Sequence, residues 1–386
     1  MCVQKVFETI DALDAEFRQV WADVVAIESP TVYKEGVDAV GAYFIKRAEA
    51  NGWKVEVLEQ PVSGNAVCLT MNPDAKGAPV ALSGHMDTVH AVGFFGNPVV
   101  RMDEEHIYGP GVTDCKGGIV AGFLAMQALQ NCNYTDRPVM LILQSDEETS
   151  SKGSNKETIY WMCEKAKDCV AFLNLEPKKA GRVVLTRKGI VRYCLNVTGR
   201  AAHSSDCANP QSVSVNASAE AAHKIIELEK YKDHHGLTFN CGVIKGGTTA
   251  NAVPDACSVV VDIRFATEEQ RLEAERIVNE VAAHAYIKGS SCTVELISAR
   301  DAMPPSAKND ALYERMNEVF AETGLSALTR RHANGGSDAA YTTMAGIPTL
   351  ECLGTIGDRV HSKEEMGYLA SLASSAKRLV ALVMKL

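Results

Sequence analysis

The 386-residue sequence predicts an α/β protein. Its catalytic part is expected to have a mostly parallel central sheet with helices on both faces, and a smaller β-α-β-β-α-β unit is inserted into it. Three observations predict this. Short apolar runs alternate with helix-period patterns in the first half; period-two alternation takes over from about Lys188 to Ala299; strand and helix signals of the first kind then resume to the end of the chain.

Taken in order, Pro79 to Ser83 reads as a buried strand. Gly118 to Gln130 reads as a helix with Ile119, Phe123 and Met126 inward, and Val139 to Leu143 and Val170 to Leu175 as further buried strands. In the middle segment Val191, Tyr193, Leu195 and Val197 alternate on one strand face, and Cys257, Val259, Val261 and Ile263 do so on another. Helices are expected at Gln211 to Lys230 and Glu268 to Tyr286, which gives the split-βαβ, ferredoxin-like order. Thr349 to Leu353 adds a strand, and Leu369 to Met384 a final helix that packs on the core rather than seeking a membrane. The expected domains are 1–187 and 300–386 for the catalytic part and 188–299 for the insert.

Composition narrows the function classes. A net charge of -9 with no block of like charges argues against nucleic acid or an anionic membrane as the main partner. No run of 18 apolar residues occurs, and the first residues mix acids among apolar side chains, so neither a membrane span nor a secretory leader is expected. Twelve scattered cysteines with no Cys-x-x-Cys pair fit reduced thiols and a cytoplasmic location.

Five segments carry candidate chemistry. His85 and Asp87 end an apolar run, and a period of two would put both side chains on one side of a strand that continued so far. That suits a metal-binding imidazole whose other nitrogen is fixed by a carboxylate, although a polar strand end explains it as well. Asp114 lies in a glycine-rich loop before a helix, where a carboxylate bridges two cations or caps the helix. In Asp146-Glu147-Glu148 neighbouring carboxylates can face different ways, so that Glu148 binds metal while Glu147 stays free to move a proton. Glu176 ends a further apolar strand, and His361 comes from a loop after one. Each alone has an ordinary reading: a turn acid, a solvated loop, an exposed histidine. Together they hang from the ends of buried strands, where open α/β sheets place their sites. Three carboxylates against two divalent ions leave one positive charge, a balance that suits two zinc ions about 3.5–4 Å apart, with cobalt or manganese as substitutes.

The order His85-Met86-Asp87, Asp114-Cys115-Lys116-Gly117-Gly118, Asp146-Glu147-Glu148, Glu176-Pro177, Gly335-Gly336-Ser337-Asp338-Ala339 and a late His361 resembles the M20 metallopeptidase family across nearly the whole chain. Within it the pattern is most similar to the glutamate carboxypeptidase branch. The resemblance implies that Asp114 bridges two metals, that His85 and Glu176 complete one site and Glu148 and His361 the other. It also implies that Asp87 orients His85, and that Glu147 is the general base acting on a metal-bridged water. The same resemblance extends to the insert: His203 in Gly199 to Ser205 corresponds to a lid histidine that stabilises the oxyanion from the neighbouring subunit of a homodimer formed through that domain. Asn251 and Arg264 correspond to segments that bind a substrate carboxylate, with Gly335, Gly336 and Ser337 adding backbone donors. A strand-end arginine in a surface salt bridge and a plain glycine turn are the competing explanations.

The reaction implied is cleavage of an amide beside a free-carboxylate amino acid, in a small peptide or an N-acyl amino acid. A deacylase of the acetylornithine or succinyl-diaminopimelate type is the alternative enzyme, and a non-catalytic metal-binding protein the alternative class. Two departures from the family stand out. Cys115 replaces a methionine, for which ordinary packing is expected over oxidation or the binding of a stray metal, and the glycine after Glu148 is delayed to Gly153.

Overall fold

The computed structural model describes residues 2–386 except 210 and 233–235. The chain divides into two compact units. One comprises the residues up to Leu185 together with Pro305–His332 and Asp338–Leu386, the other Thr186–Pro304 with Ala333–Ser337.

The first unit is built on a six-stranded sheet, in the order Lys54–Leu58, Ala66–Met71, Val139–Gln144, Val80–His85, Ala171–Asn174, Thr349–Leu350. The last four run parallel, and the first two add an antiparallel hairpin at one edge. Every residue of Val80–His85 and Val139–Gln144 is buried, so both faces of the sheet are covered. This is why these strands are apolar runs rather than alternating ones. Helices Val3–Ala26, Gly118–Asn131 and Ala370–Lys385 pack on one another, and Phe123 seats both Phe44 and Trp53, at ring separations of 5.7 and 4.7 Å.

Register decides where the site forms. Val80 pairs with Val139 and His85 with Gln144, while Ser83 lies beside Asn174. Because the three strands are parallel, their C-terminal ends reach the same edge of the sheet. His85, the Asp146–Glu148 turn and Glu176 therefore leave it side by side. The strand begun at Thr349 stops at Leu350, short of the expected Leu353, and Cys352 adopts a left-handed φ of 62° that an extended strand excludes.

The second unit has an antiparallel sheet ordered Thr238–Gly246, Ala256–Phe265, Gly189–Thr198, Ser291–Arg300, with helices Ala217–Leu228 and Glu268–Ala283. This is the β-α-β-β-α-β order that the alternating residues predict. Burial alternates strictly along Gly189–Thr198, and the inward residues form a separate core with the helices.

Two helix ends differ from expectation. The first helix starts at Ala217 rather than Gln211, because Asn216 caps it, its side chain accepting the Ala219 N–H at 3.0 Å. The second ends at Ala283 rather than Tyr286, where the Lys224 ammonium binds the carbonyls of Val281, Ala282 and His284 at 2.8–3.1 Å. Among the described residues no helix is long and apolar enough to cross a membrane, and all twelve cysteines are free thiols.

Candidate metal centre

His85 is the last residue of its strand, fully enclosed, with Nε2 3.0 Å from Asp114 Oδ1 and 3.5 Å from Glu176 Oε1. The other Asp114 oxygen, Oδ2, lies 3.2 Å from His361 Nε2, which is 3.4 Å from Glu148 Oε2. One carboxylate thus faces two clusters at once, His85 with Glu176 on one side and His361 with Glu148 on the other. Ligand atoms of His85, Asp114 and Glu148 all fall within 4.8 Å of one another, and so do those of His85, Cys115 and Glu176.

Asp87 reaches this cluster by a route other than strand periodicity. The strand ends at His85, and the chain turns so that the Asp87 carbonyl and Oδ1 lie 3.0 and 3.3 Å from His85 Nδ1. A donor at Nδ1 leaves Nε2 with its lone pair for a cation. The same carboxylate, fully buried, accepts the Thr31 hydroxyl at 2.6 Å and the backbone N–H groups of Glu147 and Glu148, each at 3.1 Å. It fixes the backbone of one candidate ligand, Glu148, as well as the ring of another, His85.

Asp114 is presented by a tight turn, Val112–Gly117, that runs into the Gly118–Asn131 helix. Asp114 itself has non-helical angles (φ -110°, ψ 84°), and its peptide bond to Cys115 is cis. Gly118 is required here: a Cβ would sit 2.0 Å from the Leu175 carbonyl oxygen, so only glycine lets the helix start abut the strand end that carries Glu176.

Glu147 and Glu148 open a short 3-10 turn ending at Thr149. Ser150 and Ser151 follow with left-handed φ of 59° and 53°, and the chain wraps around the Asp146 carboxylate, which accepts Ser154 N–H at 2.8 Å and Thr158 Oγ1 at 3.0 Å. The delayed Gly153 belongs to this wrap. His361 comes from a loop, has φ 63°, and is about half exposed, the most open of the five candidate ligands.

Electrostatics match a site made for cations. Asp114 and Glu148 hold the His361 imidazolium up to about 11. Burial alone would lower the His85 pKa, but Asp114 and Asp87 outweigh it and raise it well above its ordinary value. Burial, with the charges of Asp114 and Glu147, pushes Glu148 up to about 7 against the opposing bond from His361. A cluster that draws protons onto two imidazoles has a deficit of positive charge, and Glu148 Oε1 is buried with no hydrogen-bond partner. Two imidazoles and three carboxylates, one of them with an orphaned oxygen, fit divalent metal ions. Cys115 packs as expected, its buried thiol donating to the Leu175 carbonyl at 3.1 Å, with burial raising its pKa well above the usual thiol range. Its sulfur also lies within 4.8 Å of candidate ligand atoms of His85 and Glu176, the grouping that the metal-binding alternative for Cys115 requires.

The remaining candidates lie in the second unit. His203 sits in a two-residue strand paired with Ala252–Val253, and Ser204 N–H donates to the Asn251 carbonyl at 3.0 Å, so His203 and Asn251 are neighbours. Arg264 grips Asp262 through Nε and Nη2, at 2.6 and 3.2 Å, and donates to the Asn334 carbonyl at 3.4 Å. This is the salt-bridge arrangement the sequence held open. In the Gly335–Ser337 loop the Gly335 carbonyl accepts from Arg187 Nη1 at 3.1 Å, and Gly336 lies so close to Arg300 that a Cβ would meet its Cδ at 2.3 Å. Ser337 is buried.

Sequence reading missed Thr31, Asp146, His90 and Glu365. The last accepts backbone N–H groups of the Asp114 turn. A Glu four residues after a loop histidine carries no signal of its own.

Residues 81–385 match the sequence profile of Peptidase family M20/M25/M40. The chain belongs to this family. It is 29% identical over 346 residues to carboxypeptidase G2 of Pseudomonas sp. (strain RS-16), covering 88% of this chain and 81% of that protein. It is 24% identical over 321 residues to a succinyl-diaminopimelate desuccinylase of Wolinella succinogenes, covering 80% and 85%. Its fold matches that of a tripeptidase from Staphylococcus aureus with a TM-score of 0.78 at 21% identity, covering 96% and 97% of the two chains. A family M20 metallo-carboxypeptidase from Sulfolobus solfataricus matches with a TM-score of 0.73 at 15% identity, covering 96% and 99%. This member of the family is a metal-dependent hydrolase of the exopeptidase kind.

Proposed function

We propose that the protein is a two-zinc amidohydrolase that cleaves the amide bond of a small peptide or N-acyl amino acid whose leaving amino acid carries a free carboxylate. The observation that carries this reading is the Asp114 carboxylate, with Oδ1 turned to His85 and Oδ2 to His361. His85, Asp114 and Glu176 would hold one ion, and Glu148, Asp114 and His361 the other. When bound, two divalent ions lower the pKa of a water and polarise a carbonyl.

The chain's own residues do the rest. Asp87 holds the His85 ring and the Glu147–Glu148 turn in place. Glu147, buried and one residue from a ligand, takes the proton of the attacking water and passes it to the leaving nitrogen. We assign the oxyanion to His203 and the substrate carboxylate to Asn251 and Arg264. For Arg264 this requires its fork to leave, or to share, Asp262. A homodimer formed through the inserted domain and a cytoplasmic location, supported by the free cysteines, complete the reading.

The test combines metal analysis with hydrolysis of a panel of dipeptides and N-acyl amino acids varied at the C-terminal residue. Two zinc ions per chain and turnover with an acidic C-terminal residue support the carboxypeptidase reading; a basic preference supports the deacylase suggested by the Wolinella relative. Glu147→Ala should retain both metals and lose about 10²–10⁴-fold in turnover. Near-normal turnover of that variant would remove Glu147 from the mechanism. Two bound metals with no hydrolysis of any panel member would favour a binding protein.

A further inference from the structure

We propose that Glu365 is a positioning residue that ties the two halves of the metal centre together, by holding the backbone of the Asp114 turn from the loop that delivers His361. The inference rests on the metal-centre reading above. The Glu365 carboxylate is buried, with 1% of its surface exposed. Its Oε1 accepts the N–H groups of Thr113 at 3.1 Å and Asp114 at 3.2 Å, and the Thr113 hydroxyl at 3.3 Å. Its Oε2 accepts the N–H of Gly111 at 3.3 Å and lies 3.2 Å from His90 Nε2. One carboxylate therefore gathers three amides of a single turn.

Those amides need such an acceptor. Gly111 has a left-handed φ of 65° and Asp114 is non-helical, so the start of this turn cannot satisfy its N–H groups by ordinary helical bonds. Successive N–H groups converging in this way form an anion-binding concavity, and here a protein carboxylate fills it. The peptide conformation it stabilises is the one from which Asp114 faces both clusters.

The other end of the link is as tight. Glu365 follows His361 by four residues, and the intervening chain is bound into turns: Ser362 N–H donates to the Arg359 carbonyl at 3.2 Å, its hydroxyl to the same oxygen at 2.6 Å, and Glu365 N–H to the Ser362 carbonyl at 3.1 Å. A shift of Glu365 relative to the Asp114 turn is thus also a shift of the His361 loop. His90 is held in turn, stacked on Phe94 at 5.3 Å with a 12° angle between planes and edge-on to Phe95 at 4.9 Å. Neither His90 nor Glu365 is a candidate ligand. A buried carboxylate costs desolvation that a neutral packing residue would not, and here the three amides, the Thr113 hydroxyl and His90 offset it.

The experiment is a zinc titration of the metal-stripped full-length protein against a chromophoric chelator, for wild type, E365Q and His90→Phe. E365Q removes the charge and one acceptor oxygen at nearly constant size. It is expected to weaken zinc binding about 10–100-fold, the usual cost of losing a residue that orients a ligand. His90→Phe leaves all three amide bonds and should weaken it less. Thermal unfolding of the stripped proteins separates folding from binding. If E365Q binds two zinc ions with wild-type affinity while its stripped form melts lower, Glu365 is structural only and the proposal fails. If wild type itself binds fewer than two ions, the metal-centre reading fails instead. Should E365Q not fold, Glu365→Asp, which keeps the charge on a shorter arm, is read in the same titration, with wild-type affinity again counting against the proposal.

Discussion

Asp87 serves three partners at once: the His85 ring, the Glu147–Glu148 backbone and the Thr31 hydroxyl. As a carboxylate it can accept from all of them, whereas an amide of the same size has one accepting oxygen and must turn an NH2 toward a donor. Asp87→Asn is therefore expected to lower metal affinity about 10–100-fold, measured by chelator competition. Unchanged affinity would mean that packing alone orients His85. At this scale the five candidate ligands were legible, since His and carboxylates at strand ends are visible in any reading. Of their supports only Asp87 was. Thr31 is 56 residues from Asp87, and Glu365 is 252 from Thr113 and 275 from His90, distances over which a single sequence holds no pairing information.

Elements bring these residues together through register and close approach. Parallel pairing of Val80–His85 with Val139–Gln144 and Ala171–Asn174 aligns three strand ends, and the Gly118–Leu175 contact sets the helix that follows Asp114 against the last of them. Gly118→Ala should destabilise the protein by at least about 1–3 kcal/mol, the range for overpacking, because a backbone carbonyl rather than a flexible side chain blocks the new methyl. Urea unfolding checks this, and a change below 0.5 kcal/mol, the usual level for a surface site, would contradict it.

Helix ends follow the same logic in the second unit. Glu220 and Lys224 are both buried, 2.9 Å apart, and the lysine also binds three carbonyls at the end of the neighbouring helix. Burial alone would raise the Glu220 pKa, but Lys224 and the N–H groups of Ile287 and Tyr286 outweigh it and hold the carboxyl below its ordinary 4.5. A folded pKa below the unfolded one means that the contribution is present at neutral pH and lost as pH falls through the folded value. Glu220→Gln should thus cost roughly 3 kcal/mol at pH 7, with the difference from wild type shrinking as the pH falls below 4.5. A pH-independent difference would show that shape, not charge, matters there.

The described residues form two separate cores, one around the parallel sheet and one in the antiparallel unit. All five candidate ligands belong to the first. A ligand that binds only the folded state stabilises it by about 2.7 kcal/mol at a hundred times its Kd. Adding zinc to stripped protein should therefore slow amide exchange in Val80–His85 and Val112–Gly117, while the amides of Gly189–Thr198 and Ala256–Phe265 stay unchanged. Protection appearing only in the second unit would place the metals elsewhere.

The sequence by itself determined the fold class, because burial on two faces or on one writes different hydrophobic periods into a chain. It also determined the family and the residue types of the centre, because metals demand particular donor atoms. Only the tertiary structure decided that Asp87 holds the Glu147–Glu148 backbone as well as the His85 ring, that Arg264 grips Asp262 and that Glu365 fills the turn behind Asp114. These depend on angles and distances between segments remote in the chain, and such geometry is fixed by packing rather than by any local pattern of residues.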